Sequence, residues 1–385
     1  MPDLPRGWAT FGHSGPSLLL LNTFRAGRLA HAYLITGPKQ SGRRTLALDL
    51  ARAVNCRPAP DLFGAAPDKP CGECPQCVRI TRGIHADVRI INVDTPTEKK
   101  RGGDDEEEGG RSRKTMISIE HVRDMERDAW LKPFEGNSRA FIIDGAELLH
   151  PAAANALLKT LEEPPPEVII ILVAEDKGAL LPTIISRCQQ IELRPVATET
   201  IERELTVRHK TEPEQARTLA RLARGRPGWA ISALSDPTAL DRQAQAIQRI
   251  MAALAGDLES RFNYARQLSD SFWRKRDDVL LELDFWLDWW RDIALVRNGL
   301  ERFVTYVDWL PTLAALGRQL DGDAIARGVE TVTGTRNALV ANANSRLALD
   351  VMMLDLPFIA PSKLPAASIS PAAGRPDRPA ITVQE

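Results

Sequence analysis

Charge of one sign is what this sequence most lacks. Its 385 residues carry 50 Lys and Arg against 51 Asp and Glu, a formal net charge of −1. No global basic field draws the chain onto nucleic acid, so any contact with DNA is local or shared with partners. Long apolar runs are missing too. "PSLLLLN" (16–22) falls far short of the ~20 residues that span a bilayer and has no secretory pattern around it. It is expected to be the buried face of a first helix, in a cytoplasmic protein with no membrane partner. Cysteine is scarce: there are five, four of them between 56 and 77, with Cys188 alone. That clustering speaks against a disulfide framework and for a bound metal.

What is present reads first as alternating strands and helices. "HAYLITGP" (31–38) is an apolar run closed by Gly-Pro, a buried strand feeding a turn. "RTLALDLARAVNC" (44–56) follows at helical spacing, with Leu46, Leu50 and Val54 on one face. "DVRIINVD" (87–94), "RAFIIDGAELL" (139–149), "VIIILVA" (168–174) and "QQIEL" (189–193) supply further strands. "ISIEHVRDMERDAW" (117–130) is expected to be a helix burying Ile119, Val122, Met125 and Trp130. "PAAANALLKTLEEPPP" (151–166) is a helix with proline at its first position and a proline stop, striped by Ala154, Leu157, Leu158 and Leu161. Such alternation implies a parallel sheet covered on both faces.

Residues 1–194 are therefore expected to form one doubly wound α/β domain. Residues 195–237 carry short helical patterns, broken at "GRPG" (225–228), that suit a small lid. Residues 238–358 carry longer ones and are expected to form an all-α domain. Its "LDFWLDWWRD" (283–292) sets Trp286, Trp289 and Trp290 at helical spacing, as core or subunit-interface packing; base stacking would want interleaved basic residues, and this stretch is acidic. "EKKRGGDDEEEGGRSRK" (98–114) has no apolar residue and is expected to be a disordered insertion. Proline-rich 359–385 is expected to be a disordered tail.

"CGECPQC" places Cys71, Cys74 and Cys77 at successive C-x-x-C spacing, and Cys56 ends the preceding helix. Four thiolates match a tetrahedral structural zinc site with no open position. Free thiols or a redox pair are the alternatives; the third cysteine in phase argues against redox chemistry.

"GPKQSGRRT" (37–45) has the glycine spacing of the phosphate-cradling loop G-x-x-x-x-G-K-[ST], at Gly37 and Gly42. Arg43 stands where the lysine belongs, and Arg44 where a hydroxyl should hold magnesium. Arg43 can still meet phosphate; Arg44 has no acceptor for a metal. Thr45 lies about 100° further round the helix. Asp144 ends its strand as a metal-supporting carboxylate should, but Gly145 follows where a water-orienting carboxylate is needed, with Glu147 two further along. The site reads as a degenerate nucleotide site with little or no hydrolysis, in which the loop serves chiefly as a strand–helix turn.

"NALLKTLEEPP" (155–165), followed by "LLPTIISRC" (180–188), resembles the bacterial DNA polymerase III clamp-loader family, within the AAA+ ATPases. With the four-cysteine module the resemblance covers roughly residues 20–235. It implies an AAA+ parallel-sheet P-loop-type domain with a zinc module, a small helical lid domain and an all-α collar domain for oligomerisation. The family holds ATP-hydrolysing motor subunits and a non-hydrolysing subunit. Motors carry G-K-[ST] in the loop and Asp-Glu at the third strand end. Their sensor threonine region corresponds to Ala174-Glu175 here, and their second sensor arginine to Gly228. Four departures in one site imply the non-hydrolysing kind. The S-R-C arginine, Arg187, is then implied to act in trans on a neighbour's ATP, with Ser186 and Cys188 as supports. The implied partners are the motor subunits and the delta subunit, and, through the complex, the sliding clamp and primer-template DNA. An ATP-hydrolysing motor subunit using Arg43 and Thr45, or a zinc-bearing DNA-binding protein, are the alternatives.

Overall fold

The structure is a computed structural model that describes residue 5 and residues 7–59, 69–97, 116–236 and 238–359. The insertion expected at 98–114 and all of the expected tail beyond 359 lie outside the described residues.

Two units emerge from the contacts, Met1–Ser232 and Ala233–Glu385. In the first, α1 (Ser14–Arg25) precedes β1 (Ala32–Thr36), α2 (Arg43–Asn55), α3 (Pro75–Thr81) and β2 (Val88–Ile91). Then come α4 (Ile119–Ala129), β3 (Arg139–Asp144), α5 (Pro151–Glu162), β4 (Val168–Ala174), α6 (Pro182–Ile185) and β5 (Gln189–Glu192). The strands pair in the order β2-β3-β4-β1-β5, every ladder parallel. This is the parallel-sheet α/β core expected from the sequence.

Why these segments are strands follows from their burial. β4 reads Val-Ile-Ile-Ile-Leu-Val-Ala and is buried at every position, as a central parallel strand covered on both faces must be. Period-two alternation divides its side chains. Ile170 and Leu172 join Leu34, Leu157 and Met125 on one face, while Ile169, Ile171 and Val173 join Tyr33, Ile35, Leu46 and Leu50 on the other. Each such side chain fully buried contributes about 1.5–3 kcal/mol relative to exposure, so β4 is the sheet's main anchor. The edge strand β5 buries only Ile191 of its four residues.

α5 begins as expected. Pro151 opens it, and the His150 ring accepts the Ala152 N–H at 3.2 Å. α4 departs from expectation at one residue. Val122 and Met125 are buried, but the helix ends at Ala129, which takes the core position, and Trp130 sits at the C-cap 69% exposed. At 100° per residue Ala129 stays within about 20° of Val122, and one more residue carries Trp130 about 80° away.

Three further helices, α7 (Thr198–Val207), α8 (Pro213–Ala223) and α9 (Pro227–Ser235), occupy the stretch expected to be a lid, and the division between the units falls inside α9. The second unit holds α10 (Ala239–Ala255), α11 (Leu258–Phe272), α12 (Arg276–Arg297), α13 (Leu310–Gln319), α14 (Gly322–Val340) and α15 (Ser345–Asp355). Trp286, Trp289 and Trp290 are fully buried core residues of α12. Trp286 donates to the Tyr264 hydroxyl, which donates to Glu282, and Arg249 closes the chain with two bonds to the same carboxylate. The acidic character of α12 is thus partly internal: Glu282 and Asp292 accept hydrogen bonds in the core, Asp292 from the N–H groups of Thr305 and Tyr306.

Candidate functional site

The carboxyl ends of β1, β3 and β4 lie side by side, because Thr36 registers with Ala174 and Asp144 with Val173. Ligands of open α/β sheets bind at this edge. The loop from Gly37 to Gly42 leaves β1 here. Its end glycines are required by geometry. Gly42 is the N-cap of α2 in the left-handed region, φ 102°. A Cβ on Gly37 would meet the Leu193 carbonyl oxygen at 2.4 Å.

Cations of the loop face carboxylates of the same chain. Arg44 Nη1 lies 3.4 Å from Asp144 Oδ2, and Lys39 Nζ lies 3.6 Å from Glu175 Oε1. Burial pushes the Glu147 carboxyl above the usual carboxylate range, and the Arg43 charge draws it back in part. Glu147 accepts the Glu175 N–H at 3.4 Å, so the acid two residues past Gly145 does reach the site. A metal-assisted phosphoryl site keeps its strand-end aspartate for magnesium; here a guanidinium stands against it.

The start of α9 packs on the same loop. Gly228 N–H donates to the Gln40 carbonyl at 2.8 Å, and a Cβ on Gly228 would meet that oxygen at 2.8 Å. Gln40 itself adopts φ 60°. The position expected to lack a sensor arginine therefore makes direct backbone contact with the loop, and there is no room for a side chain. Thr45 lies in the first turn of α2, next to Arg44.

At the far end of α2 are the cysteines. Thirteen residues at 1.5 Å each set Cys56 about 20 Å from the loop. The sulfurs of Cys56, Cys71, Cys74 and Cys77 all lie within 4.8 Å of one another, Cys56 at 3.5 Å from Cys71 and 3.9 Å from Cys74. Four sulfurs at ~2.3 Å from a tetrahedral zinc stand about 3.8 Å apart. Backbone N–H groups of Cys71, Cys74 and Cys77 donate to the sulfurs of Cys56, Cys71 and Cys74, which favours thiolates. Burial pushes the Cys56 thiol to about 11, whereas at Cys74 burial is outweighed by the N–H of Cys77 and other hydrogen bonds, which lower it to about 7. The donor set fits a metal ion.

Arg187 lies elsewhere. It enters the start of β5, whereas the loop leaves the end of β1. The two strands are parallel, with Gln189 beside Tyr33. A strand's length, about 15 Å, separates them, more than an arginine side chain spans, so Arg187 does not serve its own loop. Arg187 Nη2 pairs with Glu162 Oε1 at 2.6 Å, and Nη1 donates to the Thr183 carbonyl at 2.9 Å. About a third of the side chain is exposed. Ser186 turns back to the Thr183 carbonyl. Cys188 is buried, and burial pushes its thiol to about 12, which suits packing.

Glu162, Lys39 and Glu175 were not singled out by the sequence as site partners. Their pairings join segments 25 and 136 residues apart, and no local spacing signals them.

Residues 14–197 match the family model described as "DNA polymerase III, delta subunit". The chain is 26% identical over 338 residues to DNA polymerase III subunit delta' of Bacillus subtilis, covering 88% of this chain and 94% of that one. It is 30% identical over 247 residues to DNA polymerase III subunit tau of Escherichia coli, covering 62% of this chain but 34% of the relative, so it spans about a third of that protein. Among solved structures, a DNA polymerase III gamma subunit-related protein from Thermotoga maritima aligns over 87% of this chain and 97% of its own, at a TM-score of 0.42 and 17% identity.

Proposed function

From the match of residues 14–197 to the family model described as DNA polymerase III, delta subunit, we propose that the chain is the non-hydrolysing delta-prime subunit of a clamp loader. It holds a place among related subunits, lends Arg187 to the ATP site of a neighbouring motor subunit, and so takes part in loading the sliding clamp on primed DNA. Residues 195–237 serve as the lid and 238–358 as the collar through which the subunits assemble. Cys56, Cys71, Cys74 and Cys77 hold a structural zinc that ties the 56–77 module to the end of α2.

One observation carries this reading: Arg44 faces Asp144. A fixed cation holds the carboxylate that a motor reserves for magnesium, while a second arginine stands at the opposite edge of the sheet, partly exposed. A guanidinium presented to a transferring phosphoryl group stabilises its charge, and such fingers contribute about 10³–10⁵ in rate in other systems. A subunit without its own phosphoryl chemistry can thereby complete a partner's.

The test is reconstitution with the motor and delta subunits. Arg187→Ala is expected to leave the assembly intact, by gel filtration, and to lower DNA-stimulated ATP turnover. Unchanged turnover removes the trans role.

A further inference from the structure

Arg187 is held by three groups, and they differ in what they are attached to. The Thr183 carbonyl and the Ser186 hydroxyl, 2.9 and 3.4 Å from Nη1, belong to the same short segment as Arg187. α6 spans only Pro182–Ile185, one helical turn, seated in the core by Ile184. Glu162, 2.6 Å from Nη2, belongs to another element. It is the last residue of α5, and α5 is locked into the sheet by Leu157 and Leu161, each 1% exposed or less. Among the described contacts of Arg187, the one to Glu162 alone comes from another element and from a charged partner.

We propose that Glu162 is the positioning residue for Arg187: its carboxylate fixes the guanidinium against α5 so that the free edge of the fork points outward, ready for an anion from another chain. This rests on the trans role of Arg187. An arginine fork is worth more per hydrogen bond when its orientation is set beforehand, because less rotamer freedom is lost on engagement. The pair is also weak enough for the purpose. Glu162 is about half exposed and Arg187 about a third, and an exposed ion pair is a small interaction. It biases the side chain without competing with a phosphate that offers several charged oxygens. Nε and the outer N–H of Nη2 make no hydrogen bond among the described residues.

The experiment is a double-mutant cycle in the reconstituted complex with motor and delta subunits, reading steady-state ATP turnover with primed DNA. Glu162→Gln keeps the shape and removes the charge. It is expected to lower kcat roughly two- to fivefold, the rate equivalent of an exposed ion pair, with KM for ATP and complex assembly unchanged. In the Arg187→Ala background the same substitution is expected to change nothing further. Wild-type turnover for Glu162→Gln, beside a clear loss for Arg187→Ala, overturns the positioning role and leaves the trans role standing. An equal loss in both backgrounds overturns it as well, because Glu162 then acts through something other than Arg187. If Arg187→Ala is itself without effect, the trans role and this proposal fall together.

Discussion

Gly228 and Gln40, 188 residues apart, are joined by a backbone hydrogen bond of 2.8 Å that seats the start of α9 on the phosphate-type loop. The contact is close enough that any side chain at 228 would strike the Gln40 backbone, at 2.8 Å from its oxygen and 3.3 Å from its Cα. In this chain the start of α9 lies against the loop. Gly228→Ala is expected to destabilise the first unit by about 1–3 kcal/mol, the usual cost of overpacking. Gly334→Ala is the control: it lies inside α14 with nothing within 4 Å of the added carbon, and should stabilise by about 0.5–1 kcal/mol. Urea midpoints of the two variants should move in opposite directions.

The same contact bears on catalysis. The purified chain with magnesium and ATP is expected to show no steady phosphate release. Replacing Arg43 by Lys and Arg44 by Thr together is expected not to restore it, because Gly145 still supplies no carboxylate and Gly228 no cation. Steady turnover by the wild-type chain that disappears in Asp144→Ala would return the protein to the hydrolysing class.

The cysteine cluster predicts about one zinc per chain by elemental analysis. Metal ligation by thiolates is lost as they are protonated, so the ion should leave as pH falls, or on chelation. Cys77→Ser is expected to lose the metal and lower the melting temperature, while leaving far-ultraviolet circular dichroism of the helices largely intact. Full retention of zinc in Cys77→Ser would exclude it as a ligand.

Asp87 should dominate one part of the acid response. Burial pushes its carboxyl up, but N–H bonds from Phe134, Glu135 and Gly136, at 2.7, 2.8 and 2.7 Å, together with the Arg139 charge, outweigh this and hold it below the usual carboxylate range. Because the folded value is the lower one, the stabilisation is complete above the unfolded value near ~3.9. It is lost as pH falls through the lowered folded value. Asp87→Asn is expected to cost about 1–3 kcal/mol at pH 7 and to flatten the fall in stability on acidification. An unchanged acid limb in denaturant titrations would show that the carboxylate carries none of it.

Much of the core was legible without coordinates. "VIIILVA" read as a buried strand, and Pro151 set the start of α5, while the proline stop only bracketed its end, which falls at Glu162. Successive C-x-x-C spacing assembled three sulfurs by local turns, with Cys56 delivered by the end of α2. Trp130 was misplaced because residue 130 lies about 80° round the helix from Val122, past the buried stripe that Ala129 closes. α4 ended one residue earlier, and an apolar side chain expected in the core faces outward.

What this sequence settled by itself are the features that depend on neighbours within a few residues: strand and helix burial, the loop without its lysine, the cysteine turns. Such features are written in spacing, because backbone geometry repeats over short distances. Tertiary structure alone decided that Arg44 meets Asp144, that Gly228 meets Gln40 and that Glu162 holds Arg187. Each of these joins residues 25 to 188 positions apart, and the parallel sheet order brings the first and last pairs together by placing successive strand ends at common edges. Opposite charge or a missing side chain makes such a pair possible; only the path of the chain puts the two ends within reach.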